Sequence, residues 1–219
     1  MKCDLHVHTG YSYDSSASPK EMVDEAIKRG INCLAITDHN EIEGALKSLE
    51  YVKGKPILII PGIEIKSKEG DILALNVKEK IPDKLSAKET IKKIREMGGL
   101  AIIPHPFGWF SRFKKNLEEL VKEIDGIEVL NASAFCPQNK KALAFAQKFN
   151  FLWTCGSDAH SPNLVGRAYL EIPGQNLSVG EVLEKIKNKN VKVCGSEANF
   201  FEKIIDHAKR NIAKIKMIK

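Results

Sequence analysis

The most constraining feature of the sequence is a regular alternation of short apolar runs with longer amphipathic ones. The short runs have the length and composition of β-strands and lie at 3–8, 33–37, 57–65, 72–77, 100–104, 127–130, 152–156, 168–172 and 191–194. Helical patterns occupy most of the intervals between them. Strands that alternate with helices over short connections predict an α/β fold with a parallel sheet, and both a barrel and an open sheet satisfy this pattern.

The starts and ends of the predicted helices carry consistent signals. A Ser-x-x-Glu sequence, in which serine caps the helix and glutamate caps it in return, occurs at 18–21, 86–89 and 178–181. Gly30 and Gly98 stand where two of these helices should end. These signals fix the helices between the strands and support the alternation.

The chain of 219 residues shows no linker, low-complexity run or shift in composition, so we predict a single domain over residues 1–219. Apolar residues make up 43% of it, as in globular proteins. The longest apolar runs, such as 57–60, are far too short to span a bilayer. The first residues enter a strand at once, without the pattern of a signal peptide. We therefore expect a cytoplasmic protein that has no membrane partner.

The five cysteines and the net charge narrow the function classes. No pair has C-x-x-C spacing, which argues against zinc-finger and thioredoxin-like sites, and we expect reduced, mostly buried thiols. The formal net charge is +6, and the segment 207–219 is especially basic. We expect a solvated helix face there, with attraction of a phosphorylated ligand as the alternative.

Five of the six histidines lie at or just beyond the end of a predicted strand. They are His6, His8, His39, His105 and His160. In parallel α/β proteins the strand ends converge on one face, where active sites form. Imidazole is a common ligand of zinc and related ions, so a metal site at this face is the simplest explanation of their positions.

The first strand gives the clearest local pattern. Because side chains alternate along a strand, Asp4, His6 and His8 point the same way. Two imidazoles on one face can hold an ion, and Asp4 could orient a ring from behind. Asp38, beside His39, is a second residue of this supporting kind.

Carboxylates accompany the histidines. Glu64 lies in a nearly apolar strand, where an unpaired charge is costly, and its two oxygens could bridge two ions. Asp14, Asp71 and Asp158 lie next to other strand ends. Each residue alone has an ordinary structural explanation, but together they predict a cluster of metal ligands.

These motifs resemble those of the polymerase and histidinol phosphatase (PHP) family of metal-dependent phosphoesterases. The similar segments are 4–9, 37–39, 104–106 and 156–160, in the family's order. The resemblance implies a distorted, TIM-like barrel of seven strands and helices, with the metal cluster at the carboxyl ends of the strands. It also implies two or three divalent ions, of zinc, manganese, iron or magnesium.

The resemblance also implies how the ligands are shared. One ion would be held by His6, His8, Glu64 and Asp158, a second by Glu64 and His105, and a third by Asp14, His39 and His160. Asp71 stands where many relatives have histidine, and a carboxylate there favours harder ions such as manganese, magnesium or ferrous iron. We expect the reaction to depend most directly on Glu64, Asp158 and His160.

The implied reaction is hydrolysis of a phosphate ester by a metal-activated hydroxide at a di- or trinuclear site. The substrate would be a nucleotide, another small phosphomonoester or a nucleic-acid end. We expect Arg167, and then Arg112, to bind phosphate oxygens. The aromatic residues after His105, Trp109 among them, could stack on a nucleobase.

Two other functions stay open on the sequence. A metal amidohydrolase also uses an H-x-H motif and a terminal aspartate on a barrel. A PHP-like barrel could instead be a structural subunit of an RNA-processing or polymerase complex without catalysis. Neither the substrate, the metal nor the oligomeric state follows from the sequence.

Overall fold

The computed structural model describes residues 1–108, 113 and 117–217, the side chains of residues 216 and 217 excepted. The strands are β1 Lys2–Val7, β2 Cys33–Ile36, β3 Leu58–Lys66, β4 Asp71–Leu75, β5 Leu100–Ile103, β6 Gly126–Asn131, β7 Leu152–Gly156, β8 Ala168–Glu171 and β9 Lys192–Gly195. The α-helices are α1 Pro19–Lys28, α2 Glu43–Tyr51, α3 Ala87–Glu96, α4 Cys136–Lys148, α5 Val179–Lys187 and α6 Phe200–Met217. Each predicted strand is present, and no strand end differs from its predicted position by more than two residues.

The strands form one sheet in the order β7-β6-β5-β4-β3-β2-β1-β8-β9. The chain that follows β7 returns to β1: the Asp158 amide donates to the His6 carbonyl at 2.8 Å, and the His8 amide donates to the Ala159 carbonyl at 2.9 Å. Strands β1 to β7 therefore close into a nearly complete barrel, as expected. Strands β8 and β9 extend the sheet beside β1.

The expected parallel sheet is found only in part. Strand β4 runs antiparallel to both β3 and β5, and β8 runs antiparallel to both β1 and β9. The connection from β3 to β4 spans only residues 67–70. Such a short connection can join antiparallel strands, whereas a parallel crossover needs a dozen residues or more.

The predicted helix signals are confirmed. Ser18, Ser86 and Ser178 each cap a helix whose glutamate caps the serine amide in return. Gly30 and Gly98 have φ angles of 70° and 74°, the left-handed conformation that ends a helix. These caps set the points at which the chain leaves the outer helices for the next strand.

The core lies on both sides of the strands. Helix α5 contributes Val182, Leu183 and Ile186 to a cluster that includes Leu58 and Leu152, which begin β3 and β7. It therefore covers the amino-terminal end of the barrel. The opposite end, where the predicted ligands lie, is left for the site.

Three cysteines, Cys3, Cys33 and Cys155, are buried among these apolar side chains, and all five are free thiols. Burial raises the pKa of the Cys155 thiol well above its ordinary value. The expectation of reduced, mostly buried thiols is therefore met, although Cys136 is exposed. Among the described helices, none combines the length and the apolar character that a membrane crossing requires.

Candidate metal centre

A cavity of about 460 Å³ opens at the carboxyl ends of the barrel strands. Its lining includes six of the predicted ligands, namely Asp14, His39, Glu64, Asp71, His105 and Asp158. The other three, His6, His8 and His160, are buried within hydrogen-bonding distance of them. The structure thus brings all nine predicted ligands to one place.

The first group of ligands is compact. The Nε2 atoms of His6 and His8 are 3.1 Å apart, and Glu64 Oε2 lies 3.3 Å from each. Asp158 Oδ1 is 3.7 Å from the first ring nitrogen and 3.4 Å from the second. Ligands of a tetrahedral ion with bonds of 2.0–2.2 Å are about 3.3–3.6 Å apart. One ion therefore fits between His6, His8 and Asp158, and Glu64 Oε2 lies beside both rings.

Glu64 also faces a second group. Its other oxygen, Oε1, lies 3.0 Å from Nε2 of His105, while Oε2 faces His6, His8 and His39. A carboxylate placed in this way can bridge two cations. Asp71 lines the same cavity but lies outside the groups whose ligand atoms all come within 4.8 Å of one another.

The third group joins three elements. Asp14 Oδ1 is 3.2 Å from His160 Nε2, and Asp14 Oδ2 is 3.5 Å from His39 Nε2. Asp14 Oδ1 and His160 Nε2 are buried, yet neither makes a hydrogen bond of acceptable geometry with any described residue. Buried polar atoms without partners are rare. A cation between them would satisfy both, so these residues fit a metal.

The electrostatics of the site favour cations. Burial alone would raise the pKa of Glu64 and of Asp158, but the nearby histidines, and for Asp158 also Arg210, hold both pKa values well below the ordinary range. Burial lowers the pKa of His8 and His105, yet their carboxylate neighbours raise both to about 9. The carboxylates stay ionised, and protons sit where metal ions would bind.

Comparison with known proteins agrees with this geometry. The family model of the PHP domain matches residues 4–212. The chain belongs to the PHP domain family. A protein of Methanocaldococcus jannaschii is 34% identical to the chain over 216 residues, which cover 92% of this chain and 86% of that protein. Another from the same organism is 42% identical over 144 residues, covering 60% and 82%. Both relatives are uncharacterized proteins.

A solved structure shows the same fold. A two-domain protein of Bacteroides vulgatus, described as containing a predicted PHP-like metal-dependent phosphoesterase, superposes with a TM-score of 0.77 at 20% identity. The match covers 96% of this chain and 69% of that one. The fold is therefore the distorted barrel of the PHP family. Family membership and the ligand geometry together support a metal-dependent hydrolase.

The supporting residues of the PHP domain differ partly from expectation. Asp4 accepts hydrogen bonds from the amides of Ser157 and Gly166, both at 2.8 Å, and from the Ser157 hydroxyl at 2.6 Å. It braces the loop that carries Asp158. The ring of His6 is oriented instead by Glu128, whose Oε1 lies 3.1 Å from Nδ1.

Asp38 supports His8 through an intermediate hydroxyl. Its Oδ1 accepts from Ser12 Oγ at 3.1 Å, and the same hydroxyl lies 3.0 Å from Nδ1 of His8. Asn131, which the sequence analysis also missed, donates to Asp158 Oδ2 at 3.3 Å and to Glu128 Oε2 at 2.9 Å. Glu128 has the signal that revealed Glu64, a carboxylate within an apolar strand.

Two of the predicted ligands have unusual backbone conformations. His105 has a φ of 29° and Asp158 a φ of 53°, both in the left-handed region that residues other than glycine rarely adopt. Gly156, two residues before Asp158, lets β7 approach β1, because a Cβ there would lie 2.4 Å from the His6 Cβ. Strain of this kind concentrates at functional sites, where the surroundings hold it in place.

Arg167, the predicted phosphate-binding residue that the structure describes, does not line the cavity. Arg167 instead forms an ion pair with Glu202 at 3.1 Å, outside the set of described residues that line the cavity. Trp109 and Arg112 lie outside the described residues. Helix α6 supplies the basic residues of the cavity instead. His207, Arg210 and Lys214 line it, and their spacing puts them on one face of the helix.

The basic segment is therefore not only the solvated helix face that the sequence analysis expected. Arg210 lies deepest of the three, since its Nη2 contacts the Asp158 carbonyl at 3.1 Å and also Nδ1 of His160. Its Nε donates to Asp206 at 2.9 Å. Burial and the Arg210 charge lower the pKa of His160 to about 3, so this ring is neutral, the form that binds metals.

Proposed function

We propose that the protein hydrolyses phosphate esters at a cluster of two or three divalent metal ions. The observation that carries this proposal is the position of Glu64, whose two oxygens face different groups of ligands. Bridged cations about 3.5–4 Å apart are typical of enzymes that act on phosphate esters. When bound, the ions would supply Lewis acidity and lower the pKa of water.

The described chain also offers groups that suit a phosphate. Arg210 and Lys214 line the same cavity as Glu64 and Asp158, on the wall formed by α6. A guanidinium can donate to two phosphate oxygens at once, and an ammonium adds a point charge. These residues would hold the oxygens that the metals leave unneutralised. The proposed substrate is therefore a nucleotide, another small phosphomonoester or a nucleic-acid end.

No protein nucleophile is required in this proposal. Ser157 is the nearest hydroxyl in the last motif, but it is fully buried and donates to Asp4 at 2.6 Å. Its proton is therefore held by a buried carboxylate that does not line the cavity. The protein side chains would hold the metal ions and bind the phosphate group, and none of them would attack the phosphorus atom.

The rim of the cavity could recognise the rest of the substrate. Tyr13 and Phe135 line it, and Tyr13 stacks on His39 with ring centroids 5.0 Å apart. Aromatic rings at the edge of a phosphate site can stack on a nucleobase. This favours nucleotides and nucleic-acid ends over sugar phosphates within the proposed substrate class.

A phosphate-release screen tests the proposal. Metal-stripped protein is loaded separately with Mn²⁺, Zn²⁺, Fe²⁺ or Mg²⁺ and incubated with nucleotides, sugar phosphates, phosphodiesters and 5′-phosphorylated oligonucleotides. Inorganic phosphate is measured for the monoesters, and the alcohol or nucleotide product for the phosphodiesters and oligonucleotides. Amide and lactone substrates form a parallel panel for an amidohydrolase. We expect metal-dependent phosphate release that Glu64→Gln abolishes. Metal-loaded protein that hydrolyses only amides, or nothing in either panel, would overturn the proposal.

A further inference from the structure

Helix α6 has an unusual orientation of its polar and apolar faces. A helix on the surface of a globular protein normally turns its apolar face inward. The inward contacts of α6 are mainly polar: Lys203 donates to the Ala134 carbonyl, Asp206 accepts from Ser161 at 3.3 Å, and Arg210 contacts Asp158. Within the described part of the helix, the buried apolar side chain is Ala213.

The outward face of α6 is apolar. Six large side chains on it expose between 50% and 75% of their surface, namely Phe200, Phe201, Ile204, Ile205, Ile212 and Ile215. Each has a full surface on the order of 200 Å², so together they leave roughly 700 Å² exposed. Contiguous apolar patches of this size usually mark an interaction surface.

The spacing on this face indicates what covers it. Phe201, Ile205, Ala208, Ile212 and Ile215 follow one another at intervals of four, three, four and three residues. This is the 3.5-residue period of a helix that packs along another helix. The exposed stripe, defined by these five residues, is thus suited to a helical partner with the same period.

The chain itself supplies such a helix. The stripe is nearly symmetric about Ala208, so an antiparallel second copy would place Phe201 opposite Ile215 of that copy, and the two small Ala208 side chains at the centre. A two-fold interface requires this kind of self-complementary surface. The four large side chains of the stripe expose roughly 500 Å² in each copy, so two copies together bury about 1,000 Å², the lower limit for a specific protein interface.

The residues bordering the stripe favour a second copy over a membrane surface. An interfacial helix that binds anionic lipid carries several basic residues beside its apolar face. Of the described border residues, Lys209 is basic, Asn211 is neutral, and Glu202 is paired with Arg167. Other basic residues of the helix, Arg210 and Lys214, are directed to the cavity.

We propose that two copies of this chain dimerise through an antiparallel pairing of their α6 helices along the exposed stripe. The pairing would cover the apolar face of each α6 and hold each helix against the barrel of its own chain. It does not depend on the proposed reaction, since it rests on the outer face of the helix.

Sedimentation velocity at micromolar protein concentration tests this dimer. We expect a mass of about twice the 24.4 kDa chain. Ile205→Glu and Ile212→Glu should each give monomers, while Met97→Glu, at an exposed apolar residue just after α3, should leave the dimer intact. Circular dichroism shows whether each variant is folded. A wild-type monomer, or a dimer that both α6 variants retain, would overturn the proposal.

Cysteine cross-linking tests the direction of the pairing. In a Cys136→Ser background, which removes the exposed thiol, Ala208→Cys should form a disulfide-linked dimer on mild oxidation. Phe201→Cys alone should not, whereas its mixture with Ile215→Cys should. Cross-linking of Phe201→Cys with itself would overturn the antiparallel arrangement. A monomer that pellets with anionic phosphatidylglycerol vesicles, and loses this with Ile212→Glu, would assign the stripe to a membrane instead.

Discussion

At the scale of single residues, the side chains that gather at the site were predictable because chemistry and periodicity coincide. Two histidines two residues apart on a strand must share a face, and Glu64 in an apolar strand needs a compensating charge. Arg210 carried no comparable signal. It reaches His160 and Asp158 only because α6 folds back over the barrel, about fifty residues along the chain. Local patterns do not encode such contacts.

We predict opposite effects on catalysis for mutations of Arg210 and Arg167. Arg210→Ala should lower kcat/KM for a phosphate ester by roughly 10- to 100-fold, since loss of a charged hydrogen bond costs about 1.5–3 kcal/mol. Arg210→Lys should recover part of it. Arg167→Ala should change little, because that guanidinium pairs with Glu202.

Steady-state kinetics, with metal content and Tm measured on each variant, distinguish the two arginines. An equal loss of kcat/KM in Arg167→Ala at unchanged Tm would mean that Arg167 binds the phosphate, as the sequence predicts. A loss of bound metal in Arg210→Ala would mean that Arg210 mainly holds Asp158 and His160 in place.

A mutation of Asp71 tests the identity of the second metal. The residue lies at the start of β4, and burial and the charge of Glu64 raise its pKa. Asp71→His should increase the affinity for Zn²⁺ relative to Mn²⁺, because imidazole suits zinc better than carboxylate does. Competitive titration measures this ratio, with the exposed Asp83→His as control. An unchanged ratio would show that Asp71 is not a ligand.

At the scale of elements, the positions of strands and helices followed from the sequence, but strand direction did not. A buried strand is apolar whether it runs parallel or antiparallel to its neighbours, so β4 gave no sign of reversal in its own residues. The sign lay in the connection at 67–70, which is too short for a crossover. The closure of β7 on β1 was likewise not predictable from local sequence patterns. Gly156, which allows the close approach, is the one local sign of it.

Gly156 should be essential for that closure. A Cβ at this position would lie 2.4 Å from the His6 Cβ and 2.6 Å from the His6 amide nitrogen. Gly156→Ala should therefore lower the free energy of unfolding by about 1–3 kcal/mol and weaken metal binding, as His6 is displaced. Gly180→Ala is a matched control, because no atom lies within 4 Å of its Cβ position. Chemical denaturation of both variants checks this, and equal stability would refute the steric argument.

At the scale of the whole molecule, the protein is a barrel whose open end concentrates negative charge and ligand atoms. Helix α5 covers the amino-terminal end, and α6 forms a basic wall at the other. The fold class and the ligand face could be predicted from the sequence. The basic wall could not, because it depends on where a terminal helix packs.

This arrangement predicts a dependence of stability on pH. In the metal-free protein the pKa values of His8 and His105 are about 9, above the ordinary 6.5. The stability that they contribute is complete below pH 6.5 and is lost as the pH rises to about 9. Metal ions must displace these protons, so metal affinity increases over the same window.

The rise in Tm on adding Mn²⁺ should therefore be larger near pH 9 than at pH 6.5. Differential scanning fluorimetry with and without a chelator measures it across this window. The double variant His8→Gln and His105→Gln should lose most of the pH dependence. A metal-induced rise in Tm that is constant or decreases with pH would contradict the proton–metal competition.

The proposed reaction is phosphate-ester hydrolysis that requires two or three ions at the Glu64 cluster. Its most direct test is a titration of metal-stripped protein with Mn²⁺, in which bound metal and phosphate release from a 5′-phosphorylated oligonucleotide are measured on the same samples. We predict that release begins only as bound metal exceeds about one ion per chain and saturates at two to three. Glu64→Gln should bind less metal and release no phosphate, whereas Glu50→Gln, at an exposed position, should match the wild type. Phosphate release at full rate without metal, or with Glu64→Gln, would contradict the claim.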